Sequence, residues 1–145
     1  MRLLRTIPLL GALTAVLGAL TVAAPAEDAT AAPACQVDFH VSDTWATSTT
    51  LRYVASVSVK NNTPQEIQDW VLRWSFVNDE VIADAQGVDW AQTGGLVHVD
   101  GLSWNNDIAP DKPVSFDLLV NGPHRLSPEN FVLQDTFRCE VAYSD

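Results

Sequence analysis

Positive charge is scarce in this chain: eight Lys and Arg stand against eighteen Asp and Glu among 145 residues, a formal net charge of −10. Nucleic acid and anionic membrane surfaces would be repelled, so both are excluded as partners. Histidine is nearly as rare. His40, His98 and His124 lie far apart, none with a partner at metal-ligand spacing, so no metal and no cofactor is expected. No Gly-x-Ser-x-Gly elbow occurs, and no cysteine is spare for nucleophilic work. Beyond the N-terminal region no stretch of ten residues carries helical periodicity. Internal repeats and low-complexity linkers are absent too, so nothing marks an attached catalytic domain. A glycosidase needs two carboxyl groups flanking one bond. Eighteen acids make chance pairs easy, but none stands in an apolar setting, and an enzyme is not expected.

The one long hydrophobic run opens the chain. Arg2 and Arg5 precede an apolar stretch over residues 7–23, and Ala24-Pro25-Ala26 supplies small residues where a signal peptidase reads. The run is nearly long enough to span a bilayer. The small-residue site favours a removable signal over residues 1–26, hence a secreted, extracellular protein with no membrane contact afterwards. Residues 27–34 then form a small-residue tail expected to be flexible. Residues 35–145 are one domain, expected as a monomer.

Cysteine occurs twice, as Cys35 and Cys139, one near each end of that domain. In an exported protein the pair is expected to be a disulfide tying the first strand to the last. Between them, alternation marks half-buried strands. Val37, Phe39 and Val41 share a face over residues 35–41. Tyr53, Ala55, Val57 and Val59 do so over 51–60. Trp70, Leu72, Trp74 and Phe76 make 69–77 the clearest core strand, and 96–100, 113–121, 131–137 and 140–143 follow. Residues 42–50 and 122–130 look like loops, and 81–90 mixes signals. About nine short strands with regular turns predict an all-β fold, an antiparallel β-sandwich of jelly-roll or immunoglobulin-like type.

Tryptophan is what the sequence has in quantity: five. Trp70 and Trp74 fall on the core face of a strand. Trp45, Trp90 and Trp104 stand among polar residues instead, and Trp104 sits in a turn-forming stretch before Asn105 and Asn106. An exposed indole is unfavourable unless it binds something. Its flat face suits the C–H face of a pyranose, and neighbouring amides can bond hydroxyl groups.

The order of motifs resembles a family 2 carbohydrate-binding module, the bacterial cellulose- or xylan-binding type, here as a stand-alone secreted domain. The resemblance is carried by Cys35-Gln-Val, Trp45, Val57-Ser-Val-Lys-Asn61, Asp69-Trp70-Val-Leu-Arg-Trp-Ser-Phe76 and Gln92-Thr-Gly94. Ser103-Trp104-Asn105, Ile108-Ala-Pro110, Val114-Ser-Phe116, Phe131 and Cys139 complete it. It implies a sandwich closed by a terminal disulfide, with three aromatic rings lined along one glycan chain. Trp45 and Trp104 fall on two of those ring positions, and the middle one falls on Gln86. Trp90, four residues on, is a candidate substitute, and Gln86 and Asn105 are the candidate polar neighbours. The resemblance implies non-catalytic binding of an insoluble β-linked polysaccharide, cellulose first, with xylan or chitin as alternatives. A different outcome of the lost middle ring is an extracellular or cell-wall interaction protein on the same scaffold.

Overall fold

A computed structural model describes residues 31–122 and 128–145. The expected signal over residues 1–26 lies outside the described residues, as do His124 and most of the loop expected at 122–130. Among the described residues, alternating apolar side chains give ten strands in two five-stranded sheets. The first sheet has the order β10 (Glu140–Ser144), β1 (Cys35–Ala46), β2 (Leu51–Asn61), β7 (Pro113–Asn121), β4 (Val81–Gln86). The second has the order β5 (Val88–Thr93), β6 (Leu96–Gly101), β3 (Val71–Ser75), β8 (Glu129–Leu133), β9 (Phe137–Arg138).

The sheets face each other through the side chains that the alternation puts inward. Phe39, Tyr53, Val57 and Phe116 come from the first sheet, and Trp74, Val97, Val99 and Phe131 from the second, all buried. Trp70, just before β3, joins them. Phe116 lies near-parallel to both Trp70 and Trp74, with ring centroids 6.1 and 6.4 Å away, and Trp74 stacks on Phe131 at 5.4 Å. Such pairs add about 0.5–1.5 kcal/mol each beyond area burial.

The ladders are antiparallel except β1 with β10, which run parallel from the pairing of Gln36 with Glu140. The expected disulfide explains that exception. Cys35 opens β1 and Cys139 directly precedes β10, so the Cys35–Cys139 bond fastens both strands at their starting ends. Both must then leave in the same direction. The tail expected at 27–34 is also held where it is described: Asn62 donates from its backbone N to Ala34 O and from Nδ2 to Pro33 O.

Three boundaries differ from the alternation pattern. β1 continues to Ala46 through the Ser- and Thr-rich stretch expected as a loop, because Asp43 to Ala46 keep pairing with β2. The ambiguous stretch 81–90 is two strands separated by Gly87, whose φ of +87° suits glycine and turns the chain from one sheet to the other. The segment at 131–137 begins earlier, at Glu129, and stops at Leu133, where Gln134 and Asp135 both take positive φ.

One buried polar side chain fastens the end of β2. Asn61 is fully buried, and its amide is saturated. Nδ2 donates to Gln65 O and Ile108 O, and Oδ1 accepts from Thr63 N and Thr63 Oγ1. Replacing it by alanine strands those backbone groups. Asn61→Ala is expected to cost about 1–3 kcal/mol, read from urea unfolding. Closing a loop of this length by a disulfide is worth about 4.7 kcal/mol in the chain-entropy model, so the Cys35→Ala/Cys139→Ala variant should lose about 2–5 kcal/mol in the same measurement.

Tyr53 gives a pH-dependent term. Burial, and next the nearby Glu80 carboxylate, push its phenol well above the ordinary tyrosine range. The neutral form is favoured in the fold, so the stability is intact below pH of about 10 and declines as pH rises past it, where the unfolded chain ionises first. Its hydroxyl has no hydrogen-bond partner among the described residues. Tyr53→Phe should therefore flatten the alkaline limb of the stability curve with little loss at neutral pH.

Candidate functional site

Strand alternation alone would send Asp43 and Trp45 inward, on the face of Val37, Phe39 and Val41. A β-bulge prevents it. The register of β1 against β2 shifts between Val41 and Asp43, so Ser42 is the extra residue and every later side chain changes face. Trp45 then stands opposite Arg52, pointing away from the core, with 39% of its surface exposed. A second bulge does the same on β4. The register against β7 shifts between Ile82 and Asp84, so Ile82 is buried while Asp84 and Gln86 are exposed.

The two bulges lie in a common row of the sheet. Asp43 pairs with Val54, Val54 with Leu119, and Leu119 with Asp84. The next row on one side carries Trp45, Arg52 and Asn121, and the next on the other carries Ser56, Asp117 and Gln86. These outward side chains frame a recess of about 370 Å³ lined by Trp45, Val54, Asp84, Gln86, Asp117 and Leu119. Its base is apolar and its wall is polar. Arg52 is turned to Asn121, donating from Nε to Oδ1 at 2.6 Å, and Asp117 accepts from Ser56 Oγ. Both recess carboxylates are exposed, without the apolar enclosure that a glycosidase's acid uses.

Trp104 is placed by a different device. It is the most exposed large hydrophobic residue described, at 71%, and rides a turn after β6. Asn105 builds that turn. Its backbone N donates to Leu102 O at 2.9 Å and its Oδ1 accepts from Leu102 N at 2.7 Å. Its Nδ2 donates to Gly87 O at 2.8 Å, and its own carbonyl accepts from Trp70 Nε1 at 2.6 Å. The loop is thereby fixed to the core through Trp70 and to the Gln86–Gly87 turn through the amide. The amide of Asn105 is turned into the fold, so its observed work is bracing, whereas the sequence pointed to a sugar contact. Gly101 permits the approach: an added Cβ would lie 2.6 Å from Trp70 Nε1 and 2.7 Å from Asn106 Cα.

The five candidate residues therefore divide. Trp45 and Gln86 share the recess, and Gln86 is joined through Gly87 and Asn105 to Trp104. That connectivity runs Trp45, Gln86, Trp104. Trp90 is elsewhere. It pairs with Val99 on β6 and lines a separate recess with Val81, Ile82, Gln92 and Gly94 at the edges of β4 and β5. A shift of four from Gln86 crosses Gly87 into the other sheet, which removes Trp90 from the row of Gln86. Sequence reading missed Val54, Asp117 and Leu119. Their outward alternation on β2 and β7 was the available signal, but which outward residues meet depends on the pairing of four strands.

The braces are testable. Asn105→Ala leaves Leu102 N and Gly87 O without their partner and should cost about 1–3 kcal/mol. Gly101→Ala should displace the turn, measured as a shift in Trp104 fluorescence and faster amide exchange at Leu102 and Asn105.

Among known proteins, a family model described as "Cellulose binding domain" matches residues 35–138. Exoglucanase A of Cellulomonas fimi is 29% identical over 90 residues, 62% of this chain and 10% of the enzyme. Endoglucanase A of Thermobispora bispora is 27% identical over 94 residues, 65% of this chain and 20% of the enzyme. The chain thus spans a fifth or less of the length of these two relatives. Of solved structures, the chitin-binding domain of Chi18aC from Streptomyces coelicolor superposes with a TM-score of 0.57 at 25% identity, covering 71% of this chain and 92% of that one. The chitin-binding domain of a Pyrococcus furiosus chitinase shares the fold, with a TM-score of 0.52 at 18% identity over 71% of this chain and 94% of that one.

Proposed function

The chain belongs to the cellulose-binding-domain family, and on that footing we propose that it is a non-catalytic module that holds an insoluble β-linked polysaccharide through Trp45 and Trp104. One observation carries the reading: Trp104 keeps 71% of its surface in water while four hydrogen bonds through Asn105 hold its turn still. A solvent-exposed indole gains nothing for folding, and a rigid support lowers the entropy lost when it meets a ligand. Trp45 offers a second ring at the recess, and Gln86 lines that recess as a hydrogen-bonding amide. Two partly covered indoles supply about 3–6 kcal/mol before the cost of association, so binding is weak to moderate.

The polysaccharide is cellulose or chitin. The matched enzymes are glucanases, and the structural relative at 25% identity is a chitin-binding domain. Secretion agrees with the Cys35–Cys139 disulfide, which persists in oxidising compartments. The module works as a monomer, since a flat insoluble ligand needs no second copy to complete a site.

Retention on insoluble cellulose, chitin and xylan tests the reading. Wild type should be retained on at least one, and Trp104→Ala and Trp45→Ala should each weaken binding about tenfold, the usual loss for an anchoring aromatic. No retention on any of the three overturns the proposal. Retention unchanged by Trp104→Ala overturns the assignment of that ring.

A further inference from the structure

The recess beside Trp45 is chemically one-sided. Its apolar base is Val54 and Leu119, its amide is Gln86, and its charged lining residues are Asp84 and Asp117, with no cation among them. Asp43 lies in the same outward row as Asp84, with two strands between them. The nearest row does carry Arg52, but its Nε is engaged by Asn121. Each recess carboxylate spends only part of its capacity inside the protein: Asp84 Oδ1 accepts from Ala85 N, and Asp117 Oδ1 from Ser56 Oγ. The chain as a whole carries −10.

A neutral glycan laid on Trp45 would cover two carboxylates and return only hydroxyl hydrogen bonds for their lost water. An anionic glycan would be repelled. A glycan bearing protonated amines would turn the same carboxylates into acceptors of charge-assisted hydrogen bonds, roughly twice as strong as neutral ones. We propose that the recess selects cationic amino sugars, so that the preferred ligand is a β-linked polysaccharide with free amino groups, such as de-N-acetylated chitin, with Trp45 stacking on the ring and Asp84 and Asp117 receiving the ammonium groups. This rests on the glycan-binding reading and narrows it to a substrate class.

The test is retention of the full domain on chitin beads graded from fully acetylated to extensively deacetylated, at slightly acidic pH and low salt, beside cellulose. Retention should rise with free-amine content and fall as salt is added. The Asp84→Asn/Asp117→Asn variant should lose about fivefold per carboxylate on deacetylated beads and little on cellulose. A control, Glu66→Gln/Asp111→Asn, removes the same charge from exposed positions outside the recess, and should bind as wild type does. Trp45→Ala should weaken binding on both materials. Equal loss in the control reduces the preference to overall charge and overturns the proposal. So does indifference of wild type to amine content, which leaves the glycan-binding reading standing if cellulose or acetylated chitin still retains the protein. Retention on no material, with Trp45→Ala and wild type alike, brings down that reading itself.

Discussion

Phe116 lies between Trp70 and Trp74, and that contact joins the two sheets where it matters for the exposed face. Phe116 belongs to β7, at the centre of the pairing that sets the Trp45 recess, while Trp74 belongs to β3 in the opposite sheet. Trp70 does double duty. Its ring packs on Phe116, and its indole N–H donates to Asn105 O under the Trp104 turn. A fully buried tryptophan and the most exposed one described are thereby two residues of one arrangement. A flexible loop would lose conformational entropy each time Trp104 met a surface; a loop moored to the core has lost it during folding.

Two single-residue insertions into strands do the rest. Without Ser42 unpaired on β1, Trp45 would face the sandwich interior; without Ala83 unpaired on β4, so would Gln86. Both bulges act in one row of one sheet, and together they convert two ordinary strand ends into the walls of a polar recess over an apolar base. The price is two interrupted ladders, each next to an edge or hairpin end where pairing is already thin. The exposed face is thus a property of strand register as much as of residue type. The same register sets Asp84 and Asp117 beside the ring, and gives the recess its negative charge.

Alternation over residues 35–41, 51–60 and 69–77 was legible because it is local: a period of two with one apolar face shows in consecutive residues. The pairing of Cys35 with Cys139, the exposure of Trp104 and the sandwich architecture were legible for similar reasons, from position in the chain, from polar neighbours and from strand spacing. The family pattern of motifs carried Gln86 to the middle position. What alternation could not show was where it breaks. A bulge costs one residue and has no composition of its own here, so the extension of β1 to Ala46 and the register shift that lets Trp45 point outward followed only from the partner strand. Trp90 was equally out of reach, because Gly87 moves the chain from one sheet to the other within two residues. Asn105 looked like a free amide until Gly87, from the turn between β4 and β5, came beside the turn after β6. Local periodicity and chemistry are written in consecutive residues, and the sequence by itself determined the strands, the core face and the exposed aromatics. Register, the direction of β10 and the company each exposed side chain keeps are relations between distant residues, and only the tertiary structure decided them.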